Sequence, residues 1–172
     1  MDQIFEIIKL ALPALIVFLT TYFLVRNFLN QDNKKQMMDI KLANQQTITP
    51  IRLQAYERMV LFLERINPNS VLMRANIAVP AGVLEAELLK IIRTEFEHNL
   101  SQQIYIGKKT WEAIVKAKEE TIKLVTIAST KVSRESPGME LAQSLLAVAA
   151  QLSQLPTKEP IDLIKKEIGK EF

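Results

Sequence analysis

Four charged side chains fall on helix faces that are otherwise apolar, and these are the residues whose types could support binding chemistry. They are Arg52, Glu85, Glu95 and Lys118. An unpaired charge among apolar side chains is costly, so such groups pair, extend to water or face a cleft. Gathered together inside a helical bundle, they would bind an ion, a small ligand or a partner's carboxylate. Ordinary ion pairing, or long stems with solvated heads, explains the same pattern.

Arginines on the first helix after the N-terminal region, and one shortly beyond its end, form a second candidate site. Four of the seven arginines in the chain are Arg52, Arg58, Arg65 and Arg74. Arg58 and Arg65 are seven residues apart and share a helix face, with Leu61 between them. Such a strip could dock an acidic partner, because charged residues at the rim of an interface steer association. A solvated face of mixed charge is the alternative. The partner surface that we predict consists of Arg58, Leu61, Arg65, Ile161, Ile164 and Ile168.

The remaining residue types argue against catalysis, a cofactor or a metal site. The chain has no cysteine, 4 glycines and one histidine, His98. Metal and proton-transfer sites need additional ligands or bases, which His98 lacks in its sequence neighbourhood. No phosphate-binding loop or catalytic motif is present. The 22 basic and 19 acidic residues are interspersed, which also argues against binding to nucleic acid.

The N-terminal region predicts a membrane anchor. Residues 10–25 form a run of 16 residues without a charge, and apolar residues continue on both sides from Ile4 to Leu29. A helix of about 20 predominantly apolar residues crosses a bilayer, so residues 4–29 are predicted to contact membrane lipid. A cleaved signal peptide and a buried core helix are the alternatives. Basic residues after the run would lie at the membrane surface and place the C-terminal side in the cytoplasm. These residues are Arg26, Lys34, Lys35 and Lys41.

The chain divides by composition into an anchor at 1–29, a polar stalk or tether at 30–49, and a helical domain at 50–172. The sequence Thr49-Pro50 is a typical helix start, and Asn67-Pro68-Asn69 is typical of a helix end. Apolar periodicity predicts further helices at 82 or 83–100, 110–132, 139–155 and 161–168. Residues 76–79 and 103–107 resemble short strands. We predict a mainly α protein, with a transmembrane helix followed by a compact domain of four to five helices and room for a minimal two-stranded pairing.

Residues 49–66, TPIRLQAYERMVLFLERI, together with the N-terminal apolar run, carry a family resemblance. In these segments the chain resembles an uncharacterised family of short single-span bacterial membrane proteins, over nearly its full length. The resemblance implies an anchor in the bacterial inner membrane and a helical cytoplasmic domain. The basic residues after the apolar run would then leave the N-terminus outside. It implies no activity, cofactor or catalytic residue.

These features favour a membrane-tethered helical adaptor or accessory subunit. It would bind another protein, or further copies of itself, at the cytoplasmic face of the membrane. The contact would involve the mixed-charge face of the first domain helix or the C-terminal segment 161–172. The alternative is a sensor of a small ligand or ion that uses the four charged residues on apolar helix faces.

Overall fold

The structure is a computed structural model that describes residues 2–171, and the side chains of residues 12–170 except those at 14, 33 and 44. Within these residues, six α-helices and one 3₁₀ helix follow one another along the chain. They are α1 (Asp2–Ile66), α2 (Pro68–Arg74), α3 (Ala81–Asn99), the 3₁₀ helix (Leu100–Ile104), α4 (Lys108–Ser129), α5 (Gly138–Ala150) and α6 (Lys158–Glu171). The chain forms two compact units that divide between Thr49 and Pro50.

The first unit contains the N-terminal part of α1, and the predicted transmembrane helix lies here. Its described large apolar side chains between positions 12 and 29 are exposed. Within the described part of the chain, no helix combines the length and the apolar character needed to cross a membrane. The predicted transmembrane helix at 1–29 is therefore wrong, and so are the single-pass topology and the inner-membrane location that depended on it.

The correction has a physical reason in the length of the apolar run. A helix that crosses the hydrocarbon core needs about 20 predominantly apolar residues. Among the described side chains the apolar run begins at Leu12 and reaches Leu29 only across Arg26 and Asn27. From Arg26 onward α1 continues through polar and charged residues, including Asn27, Asn30 and Asp32. Residues 30–49, for which a helical stalk and a mobile tether were alternatives, are helical.

The second unit, from Pro50 onward, is built around one apolar core. On α1 the side chains of Tyr56, Met59, Phe62, Leu63 and Ile66 are buried. Their spacing keeps them on one side of the helix. The other helices contribute apolar residues that also recur at helical spacing: Leu84, Leu88 and Ile92 from α3, Ile114 and Val125 from α4, Leu141 and Leu145 from α5, and Ile164 from α6.

Helix α4 connects the elements of this unit, because it packs against α3, α5 and α6. Hydroxyl groups supplement its apolar contacts. The Ser144 hydroxyl of α5 donates a hydrogen bond of 3.0 Å to the Ala128 carbonyl of α4. The buried Thr121 hydroxyl donates to the Ala117 carbonyl of its own helix at 2.8 Å, so its burial leaves no unpaired donor.

Helix α2 is an element that the sequence did not predict. The expected end of the preceding helix at Asn67 is confirmed, since α1 ends at Ile66. The same residues also begin α2: the Asn67 side chain accepts a hydrogen bond from the Asn69 N–H at 3.2 Å, and Pro68 occupies the first turn. Asparagine caps and prolines in the first turn are favourable at helix starts.

The predicted two-stranded pairing is wrong, because the described residues contain no strand. Residues 77–78 form a turn within the segment 76–79, and residues 103–104 belong to the 3₁₀ helix. One isolated antiparallel bridge joins Pro80 and Pro137 at the starts of α3 and α5. The Gly138 N–H donates to the Val79 carbonyl at 2.8 Å in this bridge. A Cβ at position 138 would lie 2.5 Å from that carbonyl oxygen, so only glycine permits the approach.

Candidate functional site

A shallow groove lies between the C-terminal part of α1 and the C-terminal part of α3. We call it the α1–α3 groove, and its volume is about 220 Å³. Its lining residues are Arg58, Leu61, Phe62, Arg65, Glu95, His98 and Asn99. A second pocket of about 340 Å³ shares Glu95 and His98 with the groove and includes Arg74 of α2.

Helical spacing explains why α1 supplies the positive wall of the groove. Arg58, Leu61 and Arg65 follow one another at intervals of three and four residues, which places them on the same face. Phe62 is buried beside them and belongs to the core. The face therefore has an apolar residue between two arginines, as the sequence predicted. The Leu61 side chain is 55% exposed, whereas its neighbour Phe62 is 1% exposed.

Glu95 supplies the carboxylate of the opposite wall, and it joins three helices. Its two oxygens lie 3.4 and 3.3 Å from the Arg65 Nη1, and its Oε1 accepts a hydrogen bond from the Arg74 Nη2. The Glu95 side chain is 14% exposed, compared with 53% for Arg65 and 39% for Arg74. Partial burial raises the pKa of Glu95, but the hydrogen bonds and positive charges of Arg74 and Arg65 outweigh it, so the pKa lies below its usual value.

Aromatic packing fixes the position of α3 behind the groove. The Phe62 and Phe96 rings are 5.7 Å apart between centroids, and the Phe96 and Trp111 rings are 5.6 Å apart. The Lys118 Nζ lies 4.5 Å from the centroid of the Phe96 ring. Offset aromatic pairs and a cation over a ring face are both favourable contacts. The groove thus lies beside side chains that are packed into the core of the domain.

The four charged residues predicted as a polar cluster have different partners. Arg52 donates to the Tyr105 carbonyl and to the Tyr56 hydroxyl, and Glu85 accepts from the Ser129 hydroxyl. Glu95 pairs with the two arginines described above. Lys118 pairs with Glu119 at 2.7 Å in addition to its ring contact. Each of the four charged groups therefore has a partner of its own, as expected if the charges are there for ordinary ion pairing. A ligand site shared by the four residues stays a prediction.

Sequence reasoning missed Glu167, which connects α6 to the start of α4. Its carboxylate accepts hydrogen bonds from the Gly107 N–H at 2.8 Å, from the Tyr56 hydroxyl at 3.1 Å and from the Thr110 hydroxyl. A Cβ at Gly107 would lie 2.6 Å from the Glu167 Oε1, so glycine makes room for the carboxylate. One signal was present: α4 has neither an acidic residue in its first turn nor a side-chain cap of its own.

The other predicted site residues lie elsewhere. Ile164 of α6 is fully buried, and Ile161 and Ile168 are partly buried against the same core. The predicted membrane-surface residues, Arg26, Lys34, Lys35 and Lys41, are exposed on α1 in the first unit. Among the described side chains, no group of three or more histidine, aspartate or glutamate residues could hold a metal ion.

Comparison with known proteins places the chain within a family. The model of a family described as Family of unknown function (DUF7935) matches residues 2–171. The match agrees with the predicted resemblance to an uncharacterised family that covers nearly the full length. No curated protein and no solved structure matches the chain.

Proposed function

The chain belongs to DUF7935, and because the function of this family is unknown, we propose a function from the contacts of the helical domain. The chain is an adaptor or accessory subunit that binds an acidic segment of another protein in the α1–α3 groove. One observation carries the proposal: exposed Leu61 lies between Arg58 and Arg65 on a helix whose opposite side is fixed in the core.

The size of the groove favours a protein segment over a free small ligand. Pockets for small molecules usually enclose about 300–1,000 Å³ and bury most of the ligand. The α1–α3 groove has a volume of about 220 Å³, which accommodates one or two side chains of a partner. An exposed apolar anchor surrounded by charged residues is typical of the centre and rim of a protein interface.

The charges around the groove favour an acidic partner. Three arginines, Arg58, Arg65 and Arg74, lie in or beside the groove, whereas Glu95 is the carboxylate that lines it. Glu57 and Glu64 are exposed on the adjoining edge of α1. Because these two acids border the groove, the positively charged surface does not extend beyond it. A surface this small suits a single peptide segment better than the extended backbone of a nucleic acid.

The spacing of the arginines also favours a helical partner. Two residues seven apart on a helix lie about 10 Å from each other along its axis. A second helix with acidic residues seven apart would place a carboxylate near each of Arg58 and Arg65. Its apolar side chains would then contact Leu61 between them, as an amphipathic helix does in a groove.

Fluorescence anisotropy with the full chain tests this function. The probe is a fluorescein-labelled peptide with leucine and glutamate in heptad order, which we call the glutamate peptide. Its twin, the lysine peptide, has lysine at every glutamate position. We expect the chain to bind the glutamate peptide in preference to the lysine peptide. Replacing Arg58 and Arg65 together with alanine should weaken this binding by about tenfold.

The matched control removes two arginines outside the groove. Arg93 and Arg134 are exposed and are not among the residues that line it, so the double alanine variant at these positions changes the net charge equally. We expect its affinity for the glutamate peptide to stay close to that of the wild type. Equal binding of the two peptides, or equal losses in the two double variants, would overturn the proposed function.

A further inference from the structure

We propose that Glu95 is an internal competitor for the α1–α3 groove, and that a carboxylate of the partner binds by taking its place on Arg65. The inference rests on the proposed function, because it requires an acidic partner in the groove. It adds a mechanism by which the domain regulates its own affinity: the free protein already holds a carboxylate where the carboxylate of the partner must bind.

The contacts of Glu95 show which bond breaks. The Arg65 Nη1 lies 3.3 and 3.4 Å from the two oxygens of Glu95, which is long for a hydrogen bond between charged groups. Arg74 makes the closer contact with the same carboxylate. Arg65 is also the more exposed of the two arginines, at 53% compared with 39%. Of the two arginines, Arg65 is therefore the one that a carboxylate of the partner contacts and separates from Glu95 more easily.

Arg74 keeps the exchange from leaving a partly buried charge without a partner. Removing one member of a buried ion pair is costly, because the other charge stays desolvated and unpaired. When Arg65 turns toward the partner, Glu95 retains the hydrogen bond from Arg74. Because Arg74 keeps the Glu95 carboxylate paired, the ion pair between Glu95 and Arg65 can break at a lower cost in free energy.

The exchange requires movement of side chains and not of helices. The Asn99 side chain donates a hydrogen bond of 2.8 Å to the Glu95 backbone carbonyl, which holds this turn of α3 in place. Phe96, the next residue, packs against Phe62 and Trp111. The backbone at Glu95 therefore stays fixed while the exposed end of Arg65 changes its rotamer.

The opposite role for Glu95 makes a different prediction. A carboxylate that orients Arg65 in advance would strengthen binding, because a pre-organised side chain loses less entropy when the partner binds. Under competition, Glu95→Gln tightens binding of the glutamate peptide. Under pre-organisation, the same variant weakens it.

The experiment measures anisotropy of the glutamate peptide with the full chain and its Glu95→Gln variant. We expect Glu95→Gln to bind roughly two- to fivefold more tightly, the range of a partly exposed ion pair. The matched control is Glu97→Gln, an exposed position on the same helix with the same change of charge. Equal tightening in both variants would show a general effect of net charge and would overturn the inference.

Arg74→Ala supplies a second arm, and its first measurement needs no substitution at Glu95. Without Arg74, Glu95 pairs with Arg65 alone, so we expect weaker binding of the glutamate peptide. The loss should be smaller when Glu95→Gln is also present, because the competitor is gone. Unchanged or tighter binding of Arg74→Ala would overturn the inference. Circular dichroism of each variant checks that helix content is retained.

The two proposals fail in different ways. If the wild-type chain does not prefer the glutamate peptide to the lysine peptide, the proposed function fails. The preference for the glutamate peptide could instead depend on Arg58 and Arg65 as proposed, while Glu95→Gln binds this peptide no more tightly than Glu97→Gln does. In that case only the proposal that Glu95 competes with the partner fails.

Discussion

The Glu95 carboxylate of α3 lies 3.3 Å from the Arg65 guanidinium of α1, at the opening of the α1–α3 groove. This ion pair connects two helices of the domain. In it, Glu95 holds the side chain of Arg65, which is exposed to solvent. Its contribution to folding and its effect on binding can therefore be measured with the same variants. The predictions below separate the residues that hold the domain together from those that are available to a partner.

The stability of the domain should depend on pH through Glu95. Its pKa is lowered in the folded state, so the unfolded chain binds more protons near pH 4. The stabilising contribution is complete above the unfolded pKa of about 4.3 and is lost as pH falls through the folded pKa. Urea unfolding should show Glu95→Gln less stable than wild type near pH 7, with a smaller difference at about pH 3. A difference that does not change with pH would contradict this assignment.

Removing the Glu167 carboxylate should loosen α6. Glu167→Ala removes the carboxylate that accepts hydrogen bonds from the Gly107 N–H and from two partly buried hydroxyls, which costs about 1–3 kcal/mol of unfolding free energy. Hydrogen exchange should rise in α6 and in the first turn of α4. Lys165→Ala, at an exposed position of the same helix, is the control. Exchange rates that rise equally in both variants would show that the carboxylate has no specific role.

Gly138 should tolerate no side chain. In Gly138→Ala the new Cβ would lie 2.5 Å from the Val79 carbonyl oxygen and 2.8 Å from that of Ile77. Because both contacts are with backbone, we expect a loss of about 1–3 kcal/mol in unfolding free energy. Gly169→Ala is the matched control, since no atom beyond its chain neighbours and the adjoining backbone of its own helix lies within 4 Å of the added Cβ. That variant should be neutral or more stable by up to about 1 kcal/mol. Equal stability of the two variants in urea would contradict the prediction.

The apolar face of α6 should contribute to folding. Ile164 is fully buried, so Ile164→Ala creates a cavity and should cost about 2–5 kcal/mol in urea unfolding. Ile127→Ala, at a half-exposed position on α4, should cost much less. The partner surface predicted from the sequence includes Ile164. A loss of stability no larger than that of Ile127→Ala would contradict the assignment of Ile164 to the core.

The amino-acid sequence predicted the helices of the second unit because their apolar residues recur at helical spacing. Tyr56, Met59 and Ile66, for example, recur at this spacing on α1 and are buried. Helix α2 has 7 residues, too few for a periodic signal, and its start depends on the Asn67 cap. The apolar run near the N-terminus predicts a membrane span, and this prediction is wrong, because no helix among the described residues is long and apolar enough to form one.

The sequence predicted only the part of the candidate site that lies on a single helix. Arg58, Leu61 and Arg65 belong to one helix, so spacing alone places them together. Glu95 lies 30 residues from Arg65 and 21 from Arg74 in sequence, and only the packing of α3 brings the three side chains together. The same holds for Glu167, which reaches Gly107 across 60 residues.

The central claim is that the domain binds a partner through the α1–α3 groove, and site-specific photo-cross-linking tests it most directly. A photoreactive amino acid replaces Leu61 in the full chain in its native cells, with Ile127, 48% exposed on α4, as the control position. We predict a discrete adduct from position 61 that is absent from position 127, that maps to an acidic segment of the partner, and that disappears when Arg58 and Arg65 are both replaced by glutamate. The same adducts from both positions, or an adduct from position 61 that survives the charge reversal, would contradict the claim.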